Sequence, residues 1–222
     1  MKREIIITAD GSNSLLIPQW QETFHSKHGA ITEALHVFIQ EGLQYWLQQN
    51  TQRPLHLLEI GFGTGLNALL TLLQAQEKNL SITYETLEAY PLSFEEINAL
   101  NYSEVLQIDK QLFERLHRSP WEEPVEIIPQ FRIKKRKEWF ENINAQSNFD
   151  LIYFDAFGAR VQPELWTYPI FKKMYDALKP QGVLVTYASK GSARRAMLEA
   201  GFTVSKIPGP PGKREMLRAQ VL

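Results

Sequence analysis

Apolar positions divide the chain into a short leading segment and a longer run in which strand-like and helix-like stretches alternate. Residues 4–8 are β-branched, Asp10-Gly11 is a turn signal and residues 15–17 are a second apolar run, which together predict a hairpin. From residue 29 to 47, Ile31, Leu35, Phe38, Ile39, Leu43, Trp46 and Leu47 recur three and four positions apart, the spacing of a helix with one buried face. Residues 48–54 read as a polar link. Beyond it, seven strands are predicted over residues 55–60, 82–87, 125–133, 149–155, 183–187, 202–207 and 215–221. Helices are predicted over 66–76, 95–118 with a break, a short stretch around Trp139, 163–178 and 192–200. Lys179-Pro180-Gln181-Gly182 stops the fourth of these, because proline cannot continue a helix and glycine tolerates the tight turn. Buried strands alternating with helices imply a mostly parallel sheet covered on both faces. The expected molecule is α/β and Rossmann-like, with a seven-stranded sheet in residues 51–222. Residues 1–50 are expected to form a small hairpin-plus-helix extension packing over a ligand site.

The length of 222 residues fits one large domain, or a domain with a small appendage. Lys and Arg total 24 against 25 Asp and Glu, so affinity for nucleic acid must come from a local patch and not from net charge. With no cysteine, disulfides, thiolate zinc sites, iron–sulfur clusters and a thiol nucleophile are excluded. No apolar run approaches the roughly 20 residues of a membrane helix, and the amino terminus lacks a signal-peptide core. A cytoplasmic protein without membrane association is expected. His25, His28, His36, His56 and His117 form no spaced cluster with carboxylates, so no metal is expected.

Chemistry enters at Glu59-Ile60-Gly61-Phe62-Gly63-Thr64-Gly65, a glycine-rich loop between a predicted strand and a predicted helix. Glycines let the backbone turn sharply and approach a ligand closely, with the helix amino end beyond them. Dinucleotide enzymes carry GxGxxG, whereas these glycines fall at alternate positions behind an acidic residue, which favours a ligand bearing an ammonium and a sulfonium, S-adenosylmethionine. The next strand runs into Glu88-Ala89, 23 positions after Gly65 for Glu88, where a carboxylate can accept from both ribose hydroxyls. Asp155 closes the apolar strand begun at Phe149 and is the candidate catalytic carboxylate, able to orient an acceptor amine and take its proton.

These pieces resemble a known family, the methyltransferase domain of MnmC and its stand-alone form MnmD, which methylate the wobble uridine of certain transfer RNAs. The resemblance runs through Asp10-Gly11-Ser12, Phe24 to Ala30 with Glu33 and His36-Val37-Phe38, and Glu59 to Asn67. It continues through Tyr153-Phe154-Asp155-Ala156-Phe157, Pro163-Glu164-Leu165-Trp166, and Pro208-Gly209 to Lys213-Arg214-Glu215-Met216-Leu217. It implies a class I methyltransferase fold and methyl transfer from S-adenosylmethionine to the amine of 5-aminomethyl-2-thiouridine, giving the 5-methylaminomethyl product. Family cofactor positions match Glu59, Gly61, Gly63, Asn67 and Glu88, with Phe24 and Ser26 as a lid, and Asp155 matches the aspartate beside the acceptor. Two-domain relatives add a flavin oxidase; here no FAD is expected, and separate enzymes are expected to supply the aminomethyl precursor. The chain has Arg136-Lys137-Glu138 where many methyltransferases hold the adenine with Gly-Asp.

For a transfer RNA partner, residues 189–222 hold seven basic residues, among them Arg194, Lys213 and Arg214, against Glu199 and Glu215. Lys134-Lys135-Arg136-Lys137 is a second basic candidate. Trp166 and Tyr168 could stack on a flipped base or pack in the core. The competing readings are another transferase of this fold acting on a small amine, by methyl or aminopropyl transfer, a non-catalytic RNA-binding module, and a dinucleotide oxidoreductase.

Overall fold

The computed structural model describes residues 2–50 and 54–222. Residues 51–53 of the anticipated polar link, and with them the boundary after residue 50, lie outside the described residues. At the amino end, β1 (Glu4–Ile7), β2 (Asn13–Ile17) and β3 (Glu22–Thr23) make a three-stranded antiparallel sheet, one strand more than the expected hairpin. Asp10 organises its first turn: its carboxylate accepts from Ser12 N at 3.1 Å, Thr8 Oγ1 at 2.9 Å and Thr32 N at 2.9 Å. The last of these ties the turn to α1, a continuous helix over residues 30–49 that widens to π geometry over Leu35–Gln44. Gly42 lets α1 lie close on the main sheet, since a Cβ there would stand 2.9 Å from Val185 and 3.0 Å from Tyr153.

The main sheet contains β4 (Leu55–Ile60), β5 (Ile82–Leu87), β6 (Pro124–Ile128), β7 (Phe131–Arg136), β8 (Phe149–Phe154), β9 (Leu178–Thr186), β10 (Thr203–Pro208) and β11 (Glu215–Gln220), ordered β10-β11-β9-β8-β4-β5-β7-β6. Pairs among β7, β5, β4, β8 and β9 are parallel, and both edges are antiparallel. It has eight strands where seven were expected, because residues 125–133 do not form one strand. Pro129 has no N–H to give a ladder, and the chain reverses there into the β6–β7 hairpin. The expected helix over 163–178 is likewise divided into a 3-10 turn, Pro163–Trp166, and a helix, Tyr168–Ala177, with Thr167 extended between them. The strand after it starts at Leu178, earlier than the expected 183. Phe149 faces Leu178 but Leu151 faces Val183, so residues 179–182 loop out of the ladder.

Both sheet faces are covered. Leu57, Tyr84, Phe131, Tyr153 and Val185 pack beneath α1, α2 (Leu66–Lys78) and α5 (Lys110–Arg118), after the short helices α3 (Phe94–Asn98) and α4 (Tyr102–Val105). Ile60, Ile152 and Phe154 pack on the other face against α6 (Tyr168–Ala177) and α7 (Gly191–Glu199) through Phe171, Met174 and Met197. The chain passes from β4 to β5 on one side and later returns to β8 on the other, so a crevice opens between the carboxyl ends of β4 and β8, the place where ligands bind in open α/β sheets. The amino-terminal sheet covers this edge through Arg3, which reaches Glu96 at 3.0 Å and the Tyr90 carbonyl at 2.7 Å. Among the described residues no helix is long and apolar enough to cross a membrane.

Candidate active site

The crevice is a cavity whose floor is the loop after β4. Gly61 takes φ +94°, and a Cβ on it would stand 2.9 Å from the Asp155 carbonyl oxygen; Gly63 takes φ +50° with the Phe24 ring 3.3 Å from its absent Cβ. Only glycine allows both the left-handed turn and these approaches. Phe62 and Thr64 line the cavity beside them. Gly65 does not line it. It begins α2, and its Cβ position would meet His117 Nε2 at 2.8 Å, so its role is packing.

Glu88 and Ala89 form one wall beyond the end of β5. Glu88 Oε2 accepts from Gly63 N at 3.0 Å and Oε1 from Tyr90 N at 2.8 Å, which fixes the carboxylate against the glycine loop. Each oxygen retains a further acceptor direction. Tyr90 and Trp139, in edge-to-face contact at 5.4 Å, continue this wall with Phe140 and Glu141. None of Arg136, Lys137 and Glu138 lines the cavity; Arg136 pairs with Glu85 and Glu138 instead.

At the other end, Asp155 follows β8 and its Oδ2 accepts from Asn67 Nδ2 at 2.8 Å. Burial pushes the Asp155 carboxyl well above the ordinary range; the Asn67 hydrogen bond opposes this, the Glu33 charge adds to it and Lys213 counters it. Glu33, from α1, accepts from Ser26 N at 2.7 Å and from Lys213 Nζ at 2.7 Å. Lys213 Nζ also sits 4.1 Å from the centre of the Tyr187 ring. Two carboxyl groups, Glu33 and Asp155, thus share this end of the cavity with one ammonium, Lys213, which is paired to Glu33. Phe24 and Ser26 also line the cavity, Phe24 packing edge-to-face on Phe157 at 5.0 Å. His25 lies 3.0 Å from Ser14 Oγ and 3.3 Å from Thr64 Oγ1; burial lowers its pKa to about 4, leaving a neutral ring.

The structure therefore gathers Phe24, Ser26, Gly61, Phe62, Gly63, Thr64, Asn67, Glu88, Ala89 and Asp155, and it brings in Lys213, which charge alone had assigned to RNA. Other anticipated residues lie elsewhere. Glu59 is completely buried and does not line the cavity, because strand alternation turns it beneath the sheet surface with Thr86. Trp166 is core, its Nε1 donating to the Phe157 carbonyl at 2.8 Å. Tyr168, Arg194 and Arg214 are outside the cavity. The basic run at 134–137 is not one surface patch: Lys135 is buried and donates to the Leu116 and His117 carbonyls at 3.1 and 2.7 Å, at the end of α5. Sequence reasoning gave no role to Arg3, His25, Glu33, Tyr90 or Tyr187. Tyr187 had a signal, since it directly follows β9 at the same sheet edge.

The profile of a family described as S-adenosyl-L-methionine-dependent methyltransferase matches residues 131–221. A tRNA 5-methylaminomethyl-2-thiouridine biosynthesis bifunctional protein MnmC from Leptospira interrogans is 28% identical over 214 residues, covering 90% of this chain and 32% of the relative. The protein of the same description from Idiomarina loihiensis is 29% identical over 217 residues, covering 89% and 35%. The chain thus spans about a third of the length of these curated relatives. The crystal structure of MNMC2 from Aquifex aeolicus superposes with a TM-score of 0.79 at 26% identity, covering 98% of this chain and 70% of that one.

Proposed function

We propose, on the premise that this chain is related to the methyltransferase part of the MnmC proteins and shares the Rossmann-like fold of S-adenosyl-L-methionine-dependent methyltransferases, that it methylates the amine of 5-aminomethyl-2-thiouridine at the wobble position of transfer RNA. The observation that carries this reading is the placement of Asp155, held by Asn67 at the end of β8 beside the Gly61–Gly63 loop and inside an acidic end of the cavity. S-adenosylmethionine, when bound, supplies an electrophilic methyl group. The fit is supported by the close backbone at Gly61 and Gly63 and by the acceptor capacity left on Glu88 for ribose hydroxyls.

The acceptor amine reaches the protein mainly as an ammonium, which has no lone pair. Asp155 orients it and accepts a proton from its nitrogen, directly or through water; the freed lone pair would then bond to the methyl carbon as the carbon–sulfur bond breaks, with S-adenosylhomocysteine leaving as the neutral thioether. Glu33 keeps the acceptor end acidic while restraining Lys213. We read the segment before residue 50 as the cover of the site, with Phe24 and Ser26 as its lid. Arg214, exposed and in no salt bridge among the described residues, is read as a phosphate contact. Such a substrate would place the activity in the cytoplasm.

Mass analysis of transfer RNA nucleosides from cells lacking this protein tests the reading. Accumulated aminomethyl-thiouridine with loss of the methylated product is expected. An unchanged nucleoside profile, with cofactor binding intact, would instead favour a small-amine acceptor.

A further inference from the structure

Glu59 stands at the strand end where an acidic residue would be expected to meet the cofactor, yet it is fully buried and lines no part of the cavity. Thr86 Oγ1 donates to its Oε2 at 2.8 Å, Oε1 has no partner, and no Lys, Arg or His among the described residues bonds to it. The Asn67 amide and the Tyr84 hydroxyl are its polar neighbours in this buried cluster, and neither makes a hydrogen bond to it. Asn67 in turn donates to Asp155 at 2.8 Å, while its own Oδ1 is buried without a partner. The cluster therefore holds two orphaned acceptors, Glu59 Oε1 and Asn67 Oδ1, against one unpartnered hydroxyl, that of Tyr84, which can donate to only one of them and leaves the cluster a donor short. An unpaired buried carboxylate is costly, and a carboxyl group so placed takes up a proton instead.

We infer that Glu59 is a neutral carboxylic acid whose proton supplies the donor this cluster lacks, fixing the Asn67 amide and through it Asp155, so that Glu59 is a positioning residue and not a charged ligand of the cofactor. Burial drives the Glu59 carboxyl well above its ordinary pKa against the lowering hydrogen bond from Thr86, and the charge of Asp155 adds to the rise. Its protonation state is independent of the acceptor; only the consequence for turnover rests on the proposed role of Asp155.

Glu59→Gln keeps the shape and a donor without a charge, whereas Glu59→Leu leaves Thr86 and Asn67 unpaired. Calorimetry with S-adenosylhomocysteine is expected to give near-wild-type affinity for Glu59→Gln. Turnover should be retained in Glu59→Gln and fall by about tenfold or more in Glu59→Leu, the effect of orphaning a buried polar group. An infrared difference spectrum at neutral pH, wild type minus Glu59→Gln, should show the carbonyl band of a protonated carboxyl group. A carboxylate pair of bands in its place, or a tenfold loss of cofactor affinity in Glu59→Gln, would overturn the inference. The infrared and calorimetric results stand even if transfer RNA proves not to be the acceptor, so the two readings fail separately.

Discussion

Asp155 does its proposed work only as the anion, and the environment that holds it also raises its pKa, chiefly by burial. The proton-accepting form is therefore lost as pH falls through a value above the ordinary 3.8, and the acid limb of the single-turnover rate should lie correspondingly high. Lys213 lowers that pKa, so Lys213→Met should move the limb to still higher pH; an unmoved limb would separate Lys213 from Asp155. Asp155→Asn should reduce turnover by about 100-fold, the usual worth of a positioned acid–base group, with partial rescue at high pH where more acceptor arrives as neutral amine. Near-wild-type transfer by that variant would leave the base unidentified. Gly61, Gly63, Glu88 and Asp155 were legible because each closely follows a strand, and strand ends share one edge of a parallel sheet. Glu33 and Lys213 were not legible as a pair, since 180 positions separate them and only the fold brings them to 2.7 Å. Glu59 follows the same strand-end logic yet lies outside the cavity lining, because strand-end position alone does not tell which way a side chain points.

Among the elements, the alternation of strand and helix was readable from apolar spacing, but the breaks depended on single residues whose effect is local. Pro129 divides one expected strand into two, and the loop at 179–182 depends on ladder register that no periodicity reports. The carboxyl-terminal hairpin of β10 and β11 carries Lys213 into the cavity and leaves Arg214 outside it. Their substitutions should therefore part company. Arg214→Ala is expected to lower the salt slope of transfer RNA binding by about one unit and leave cofactor affinity unchanged; an unaltered slope in the folded variant removes Arg214 from the RNA face. The amino-terminal sheet depends on Asp10, where burial would raise the carboxyl but hydrogen bonds from Ser12, Thr32 and Thr8 bring it down to about 2. A depressed carboxylate contributes stability above its unfolded value of about 3.8 that is lost as pH falls toward about 2. Asp10→Asn should be less stable than wild type at neutral pH, with the gap narrowing across that window. A gap constant with pH would mean that the Asp10 charge is not what holds the turn.

Across the whole molecule one cavity serves one transfer: the segments 3–33, 61–67, 88–90, 155–157 and 187–213 all contribute residues to it. Gly63→Asp should abolish cofactor binding, because the added side chain enters between Phe24 and the glycine loop and places a charge beside Glu88. The most direct test is single-turnover reaction of the purified chain with methyl-labelled S-adenosylmethionine and transfer RNA carrying 5-aminomethyl-2-thiouridine, read by nucleoside mass. Label is expected in 5-methylaminomethyl-2-thiouridine for the wild-type chain and far less for Asp155→Asn. A wild-type chain that binds the cofactor tightly yet leaves the aminomethyl nucleoside unlabelled would contradict the proposed function.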